Sequence, residues 1–513
     1  MLARVLSAAV LGIDAYLVHV ETDIANGLPS FATVGLPQGA VKEGRERVAA
    51  AIVNSGFDFP LKRITVNLAP ADTRKQGSAF DLPIALGVLS AAGHVFPDNG
   101  RDPPALADYV VVGELGLEGD VRPVRGSLCI AAGARAAGIR GLIVPEANVA
   151  EAGVVDGLEV RGARTLNDVV DFFSGKSELS HQGSTLPFAT YRMEGDVSFS
   201  DVRGQEHAKR ALEVAAAGAH NVLMIGPPGS GKTMLARRLS TILPPFTTGE
   251  ALQTTKVHSV AGLLGPGASL VTTRPFRSPH HTISDAGLIG GGSNPRPGEV
   301  SIAHGGVLFL DELPEFRKNV LEVLRQPLED GCVNISRAAT SVCFPARFML
   351  AAAMNPCPCG YAGDPTHGCV CQPGAIERYM ARVSGPLLDR IDLHVEVPAV
   401  AHGDLSCERS GQSSTVIRER VTRARARQLA RFGSRSGLFA NAHMRPRDLR
   451  QYCILESSAE QLLRQAIARL NLSARAYHRV IKLARTVADL ADSDGIHSEH
   501  VSEAIQYRSL DRA

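Results

Sequence analysis

The segment NVLMIGPPGSGKTMLARRL carries the most specific chemistry in this sequence. An apolar run over residues 221–225 leads into a glycine-rich turn, and a sequence typical of a helix follows. The turn fits the pattern G-x-x-x-x-G-K-S/T, whose backbone N–H groups surround phosphate oxygens at a helix N-terminus. It consists of Gly226, Pro227, Pro228, Gly229, Ser230, Gly231, Lys232 and Thr233. We expect ATP to bind here, with Lys232 on the β- and γ-phosphates and Thr233 on Mg²⁺.

Another apolar run, 307–310, ends in the adjacent carboxylates Asp311 and Glu312. By itself such a pair is more often a helix cap, but beside a phosphate-binding turn it is typical of a hydrolytic site. Because parallel strands end at one edge of a sheet, we expect Asp311 to hold Mg²⁺ and Glu312 to polarise the attacking water. A third apolar run, FMLAAAMNP, ends in Asn355. Together these runs predict a nucleotide hydrolase.

Four cysteines form two Cys-x-Cys pairs, Cys357/Cys359 and Cys369/Cys371, with nine residues between the pairs. Four thiolates can enclose a tetrahedral Zn²⁺, although this spacing is tighter than the usual two to four residues between paired ligands. Zinc ligation and four reduced, packed cysteines are therefore both compatible with the pattern, with His367 as a further ligand candidate. The other five cysteines are scattered singly, which favours a reducing cytoplasm over a secreted disulfide framework.

The composition limits the class of protein. A chain of 513 residues with 44% hydrophobic and 21% charged residues predicts a globular protein of about three domains. Its net charge of +2 excludes binding of nucleic acid by bulk charge, so such contacts must come from local basic patches. No run of 18 uncharged apolar residues occurs, and we expect no membrane partner. The start of the chain alternates in a way that predicts two short strands.

The pattern of segments predicts an α/β fold with several parts. Residues 1–174 interleave alternating runs with alanine-rich helical runs, which indicates an α+β domain. Residues 175–196 are polar and without period, so we interpret them as a linker. Residues 197–402 contain the nucleotide motifs, and residues 403–513 are helical and rich in arginine.

The order of these motifs resembles that of the AAA+ ATPases. The segments RPFRSPHH and NPCPCG resemble the magnesium-chelatase-like ComM/YifB family. This resemblance implies a P-loop αβα core with a helical lid, preceded by a Lon-protease-like, ribosomal S5-like α+β domain. It makes Asn355 the sensor of the γ-phosphate and Arg390, in LLDRID, the arginine finger of a neighbouring subunit. Arg475 takes the place of the lid arginine, with Arg479 close enough to compete.

Two further segments resemble insertions of that branch. The glycine-rich stretch around Arg277 and the pair His280-His281 occupies the place of the helix-2 insert, and a metal pair, polar packing and nucleic-acid contact are all open for the histidines. The stretch GCVNISRAATSVCFPARFML predicts a pre-sensor hairpin with Arg337 as the DNA-phosphate contact or as a solvated charge. The arginines over 418–431 surround one helix, which favours a solvated lid or subunit contact over a DNA stripe.

The N-terminal part resembles the C-terminal domain of Lon proteases. A Lon-type enzyme needs a serine nucleophile and a lysine of lowered pKa. The nucleophile position falls on Ala79, with Ser78 one residue too early, and the lysine position falls near Leu128. No lysine occurs between residues 76 and 175, so we expect this domain to serve ring assembly or partner docking and not proteolysis.

The resemblance as a whole implies an ATP-driven hexameric helicase that promotes branch migration in recombination during natural transformation. Its cofactors would be ATP and Mg²⁺, with structural Zn²⁺ at the cysteines as a further candidate. Its partners would be single-stranded and branched DNA, a homo-hexameric ring and recombination proteins. The alternatives are a metal-insertion or remodelling ATPase like magnesium chelatase and, less favoured, an ATP-dependent protease.

Overall fold

The computed structural model describes the chain apart from residues 38, 72, 74, 76, 96–103, 182–196, 266, 293–294, 338–339, 365–366, 400–410, 434–437, 471–472 and 509–513. The chain divides into two compact units. The first unit comprises Met1–Phe188, Ala251–Val271 and Ser336–Phe344. The second comprises Ala189–Glu250, Thr272–Ile335 and Pro345–Ala513.

The first unit is built on a mixed sheet. Its strands are β1 (Leu2–Leu11), β2 (Asp14–Ala25), β3 (Ser30–Val34), β4 (Arg63–Ala69), β5 (Tyr109–Val111), β6 (Glu114–Leu115), β7 (Val121–Arg122), β8 (Gly141–Pro145), β9 (Glu159–Ala163) and β10 (Ser180–His181). Among the described residues, eight of them pair in the order β10-β9-β8-β5-β1-β2-β4-β3. The strands predicted at the start of the chain are present, but β1 and β2 are ten and twelve residues long and not short.

Helices cover this sheet. They span Gly39–Asn54, Asp81–Ala92, Ser127–Ala136, Val149–Ala152 and Leu166–Phe173, with 3-10 turns at Leu106–Asp108 and Glu146–Asn148. Helix Asp81–Ala92 is buried along almost its whole length, as expected of its continuous apolar sequence. Part of the segment interpreted as a linker belongs to the sheet, because Ser180 and His181 pair with β9. Residues 182–196 lie outside the described residues.

The second unit contains a parallel sheet. The later strands of the chain are β11 (Val222–Ile225), β12 (Phe276–Arg277), β13 (Gly290–Gly291), β14 (Arg296–Pro297), β15 (Val307–Leu310), β16 (Cys332–Arg337), β17 (Thr340–Pro345), β18 (Met349–Met354) and β19 (Leu393–Glu396). In the described part of this unit, β12-β15-β18-β11-β19 form the sheet, with all pairs parallel. Strands β11, β15 and β18 are buried throughout, as parallel strands between two helical layers require.

The helices of the second unit form the layers around that sheet and the lid. They span Glu206–Gly218, Lys232–Ile242, Asp285–Ile289, Glu299–Ile302, Lys318–Val323, Arg325–Asp330, Pro373–Met380, Gly385–Leu388, Ser414–Phe432, Pro446–Tyr452, Ser457–Leu470, Ala474–Leu490 and Ser498–Gln506. Short 3-10 turns lie at Phe199–Asp201, Leu313–Glu315 and Asn441–His443, and helix Thr248–Ala261 crosses the boundary between the units. None of the helices in the described ranges combines the length and hydropathy that a membrane span needs.

The arginine-rich helix Ser414–Phe432 is held by contacts inside the second unit. The Arg425 guanidinium donates to the carbonyl oxygens of Ala216 and Ala217, both at 3.0 Å. Arg420 pairs with Glu213, and Arg431 pairs with a buried aspartate of helix Ala474–Leu490. These contacts pack the helix on the core through Arg420, Arg425 and Arg431, whereas the sequence predicted a solvated lid or a subunit contact, and the choice between a subunit contact and a DNA contact stays open.

Two histidines of the second unit lie in its fully buried interior. Burial lowers the pKa of His394 to about 3, and the cations Arg508 and Arg479 act in the same direction. Burial also lowers the pKa of His220, although hydrogen bonding to Asp392 opposes this shift. Both imidazoles are therefore neutral in the folded chain at pH 7, and below the ordinary histidine pKa they gain protons chiefly on unfolding.

We expect the free energy of unfolding to fall as the pH decreases below about 6.5, because the unfolded chain then binds protons that the folded chain does not. Between pH 7.5 and 5.0, His394 should account for roughly 2 kcal/mol of this loss. Urea unfolding of His394→Gln should therefore depend less on pH than wild type by that amount. An unchanged pH dependence in His394→Gln would contradict the assignment.

Candidate active site

The phosphate-binding loop lies between β11 and helix Lys232–Ile242. Gly229 and Gly231 have φ angles of 76° and 84°, in the left-handed region that favours glycine. A Cβ at Gly226 would lie 2.0 Å from the Val397 carbonyl oxygen, so this position also needs glycine. The loop ends at the N-terminus of an eleven-residue helix, where backbone N–H groups and the helix dipole favour an anion.

Lys232 is the first residue of this helix, and its side chain contacts the loop. Its ammonium group donates to the carbonyl oxygens of Gly226 and Pro227, both at 2.8 Å, and to Asn355 Oδ1 at 3.2 Å. Burial lowers the pKa of Lys232, and the Asp311 carboxylate opposes that shift. The loop lysine and the asparagine that follows β18 therefore contact each other directly.

The end of β15 supplies the acidic part of the site. Thr233 Oγ1 donates a hydrogen bond of 2.6 Å to Asp311 Oδ2. A hydroxyl and a carboxylate are hard oxygen ligands, and this pair beside a phosphate loop fits Mg²⁺. Glu312 follows with a φ of 51°, a left-handed conformation that costs a non-glycine residue roughly 1–2 kcal/mol, and its backbone N–H donates to Asp311 Oδ1 at 3.0 Å. Its side chain is 61% exposed and accessible to a water molecule.

Arg390 lies at the opposite edge of the sheet. Its carbonyl oxygen accepts from Asn221 Nδ2 at 2.9 Å, and Asn221 immediately precedes β11, whereas the phosphate loop begins at Gly226 after that strand. At roughly 3.3 Å per residue, the strand separates Asn221 from Gly226 by about 16 Å. The Arg390 guanidinium is bonded to Glu329 and to the Pro386 carbonyl, so it is directed away from its own phosphate loop.

A cavity of about 770 Å³ opens at this edge of the second unit, lined by Arg390, Arg475 and Arg479 among other residues. Arg479 is only 15% exposed, donates to the Ile391 carbonyl at 3.0 Å and pairs with a buried aspartate. Arg475 is 62% exposed and lies at the limit of ion-pair distance from Asp389. Of the competing lid arginines, Arg475 is therefore the one with an accessible guanidinium.

The predicted DNA contacts have different surroundings. Arg277 makes a bidentate pair with Glu299, with N–O distances of 2.7 and 2.8 Å, so its charge is balanced within the chain. The predicted hairpin is present as β16 and β17. Its tip, 338–339, and the side chain of Arg337 lie outside the described residues.

Comparisons with known proteins cover almost all of the chain. The model of the family described as Magnesium chelatase, subunit ChlI, matches residues 198–405. Related models, Subunit ChlI of Mg-chelatase and Magnesium chelatase, subunit ChlI C-terminal, match residues 20–148 and 411–508. The chain is 44% identical to the YifB protein of Salmonella typhimurium and 44% identical to Competence protein ComM of Haemophilus influenzae, over 100% of this chain and 98% of each relative.

The chain belongs to the ComM/YifB family. It is therefore a magnesium-chelatase-like member of the AAA+ ATPases, a family that uses ATP and Mg²⁺. The expected fold class, an α/β AAA+ core with a Lon-like start, is confirmed by these similarities and by the parallel sheet.

The Lon-like part of this ComM/YifB member has a further relative. Lon protease 2 of Bacillus subtilis is 32% identical over 152 residues, which is 28% of this chain and 27% of that protein. In the first unit Ala79 precedes the buried helix Asp81–Ala92, and Leu128 lies in helix Ser127–Ala136. The Ser78 hydroxyl donates to the Glu114 carboxylate. By the resemblance, the nucleophile position of a Lon-type dyad falls on Ala79 and the lysine position near Leu128, and the loss of the dyad stays a prediction.

Two contacts of the site have no distinct signal in the sequence. His281 Nδ1 lies 3.7 Å from Glu312 Oε2, and the His281 ring packs against that of His280 with centroids 4.1 Å apart. Gln205 Nε2 donates to the carbonyl oxygen of Ser230 at 2.7 Å. The adjacent histidines in RPFRSPHH could have indicated a polar role, but only the fold brings His281 to Glu312.

We expect His281 to act as a positioning residue that restrains the Glu312 carboxylate. His281→Ala should lower kcat for ATP about tenfold and change KM less than about twofold, because the restraint concerns the attacking water and not nucleotide binding. His281→Gln, which retains a hydrogen-bonding side chain, should recover most of the rate. Steady-state ATPase assays test this, and an alanine variant with wild-type kcat would exclude the role.

Proposed function

We propose that this protein is an ATP-driven hexameric DNA helicase or translocase that promotes branch migration in homologous recombination during natural transformation. In this proposal it acts in the cytoplasm as a homo-hexameric ring on single-stranded and branched DNA, together with recombination proteins. Its cofactors are ATP, Mg²⁺ and a structural Zn²⁺ at Cys357, Cys359, Cys369 and Cys371. Similarity over the full length to a protein named Competence protein ComM supports the biological setting.

The observation that carries the proposal is the position of the two arginines. Arg390 and Arg475 line a cavity at one edge of the parallel sheet, while Lys232 and Asp311 lie at the other. A nucleotide on the phosphate loop is therefore out of reach of both arginines of the same chain. A ring, in which each subunit presents its arginine edge to the phosphate loop of the next, gives every ATP a complete site.

The chemistry proceeds from the residues at the loop. Loop N–H groups and Lys232 bind the phosphates, and Thr233 and Asp311 hold Mg²⁺, which supplies charge neutralisation on the phosphate oxygens. Glu312 accepts a proton from the attacking water, whose oxygen bonds to the γ-phosphorus as the bond to the ADP oxygen breaks. Asn355 orients the water, and it lies within hydrogen-bond distance of Lys232.

Arg390 supplies positive charge from the neighbouring subunit in the transition state. Its contact with Glu329 must then be exchanged for the γ-phosphate. Because Glu329 is half exposed, that exchange leaves no buried charge unpaired. Hydrolysis thus depends on the contact between subunits. This dependence couples ATP turnover to movement of the pre-sensor hairpins, which carry Arg337 along the DNA. Arg277 is a secondary contact to DNA.

We expect ATPase activity to rise several-fold with forked, three-stranded or four-way DNA, and Lys232→Ala to abolish hydrolysis and strand separation because it removes the phosphate cation. Arg337→Ala should retain basal ATPase but lose most of the DNA stimulation. The assays are ATPase and unwinding on these substrates at fixed salt. An ATPase that is indifferent to every DNA structure would reject the DNA motor, and stimulation by a porphyrin would favour a chelatase-like role.

Mixed rings test the shared site. Lys232→Ala and Arg390→Ala should each be inactive alone, because every site in either ring lacks one partner. An equal mixture should regain about a quarter of the wild-type ATPase, since about one interface in four joins an intact phosphate loop to an intact arginine. ATPase titration of one variant with the other measures this. A mixture as inactive as its components would place both residues in one subunit's site.

A further inference from the structure

The four cysteine sulfurs of NPCPCG and the following CVC are gathered at one point. All four Sγ atoms lie within 4.8 Å of one another. The Sγ distances are 3.4 Å for Cys357–Cys359, 3.7 Å for Cys357–Cys369 and 3.6 Å for Cys359–Cys369. Ligands at about 2.3 Å from a tetrahedral Zn²⁺ are about 3.8 Å apart, whereas disulfide sulfurs are about 2.05 Å apart. The cluster therefore has the spacing of a four-thiolate metal site.

The surroundings of the sulfurs also suit a charged cluster. The Ala362 N–H donates to Cys357 Sγ at 3.3 Å, and the N–H groups of Tyr361 and Val370 donate to Cys359 Sγ. Such N–H···S bonds stabilise thiolates that bind a metal. His367, the other ligand candidate, instead packs against the Tyr361 ring and does not join the cluster. Four thiolates in this arrangement fit the tetrahedral coordination that Zn²⁺ has in structural sites.

The cysteine loop touches the phosphate loop. Gly360 has a φ of 91°, and a Cβ added there would lie 2.5 Å from Cδ and 2.6 Å from Cγ of Pro228. Pro228 belongs to the phosphate-binding turn, and Gly360 follows directly after Cys359. On the other side of the cluster, Cys357 is two residues from Asn355, which contacts Lys232. The cysteine ligands are therefore adjacent in sequence both to Gly360, which contacts Pro228 of the phosphate loop, and to Asn355, which contacts Lys232.

We infer that Zn²⁺ bound by Cys357, Cys359, Cys369 and Cys371 clamps Gly360 against Pro228 and so fixes the phosphate loop for ATP. The inference deepens the proposed ATPase function and rests on its nucleotide site. Without the metal, no cross-link compensates the conformational entropy that is lost when the cysteine loop is ordered. Removal of Zn²⁺ therefore releases the contact between Gly360 and Pro228. Nucleotide affinity then decreases although no residue of the phosphate loop has changed.

The metal is tested by elemental analysis of the full chain purified without chelator. We expect about one zinc per chain in wild type and in Cys343→Ser, whose exposed cysteine lies outside the cluster, and none in the double variant Cys369→Ser/Cys371→Ser. Wild-type protein without zinc would overturn the site. If the double variant does not fold, zinc released from wild type by a mercurial reagent and counted with a colorimetric chelator gives the same measurement.

The clamp is tested by binding of a fluorescent ATP analogue without DNA. Gly360→Ala should retain zinc but bind the analogue roughly tenfold more weakly, because its methyl group displaces Pro228. Gly363→Ala is the matched control, since Gly363 also has a left-handed φ, 79°, but no atom within 4 Å of an added Cβ. Equal affinities in the two variants would overturn the clamp. A ring that binds zinc and ATP normally but ignores DNA would refute only the DNA motor.

Discussion

The polarity of one parallel sheet is the constraint on which the second unit depends. Because β11, β15 and β18 run in the same direction, the residues after each strand meet at one edge, where Lys232, Asp311 and Asn355 form contacts across the strands. For the same reason, the residues that precede these strands lie together at the opposite edge, where the strands begin. Arg390 follows this rule, because it precedes β19 and its carbonyl oxygen accepts from Asn221, which precedes β11.

A polar junction at that second edge joins the arginines to each other. Asn221 donates to the Arg390 carbonyl, accepts from the Leu350 N–H at 2.8 Å and donates its own N–H to Asp392 at 3.1 Å. Helix Ala474–Leu490, which carries Arg475, is attached there through the hydrogen bond of 2.8 Å between Thr486 and the buried His220. These hydrogen bonds lie in the buried interior of the second unit, where breaking one is costly.

At the first edge, the phosphate loop is supported by residues far away in sequence. Val397 packs against Gly226, Gln205 bonds to Ser230, and Gly360 contacts Pro228. Each of these three residues comes from a different segment. The conformation of the phosphate loop therefore depends on the start of helix Glu206–Gly218, on the end of β19 and on the cysteine loop.

The sequence by itself determined the elements with a local cause. Apolar runs predicted β11, β15 and β18, and the glycine turn and the carboxylates after β15 predicted the nucleotide chemistry, because strand periodicity and phosphate binding depend on adjacent residues. It also predicted the hairpin and the cysteine pairs. Only the tertiary structure decided that Arg390 lies away from its own ATP site, that Arg277 is paired with Glu299 and that His281 reaches Glu312. These contacts join segments through the fold, and no local propensity encodes them.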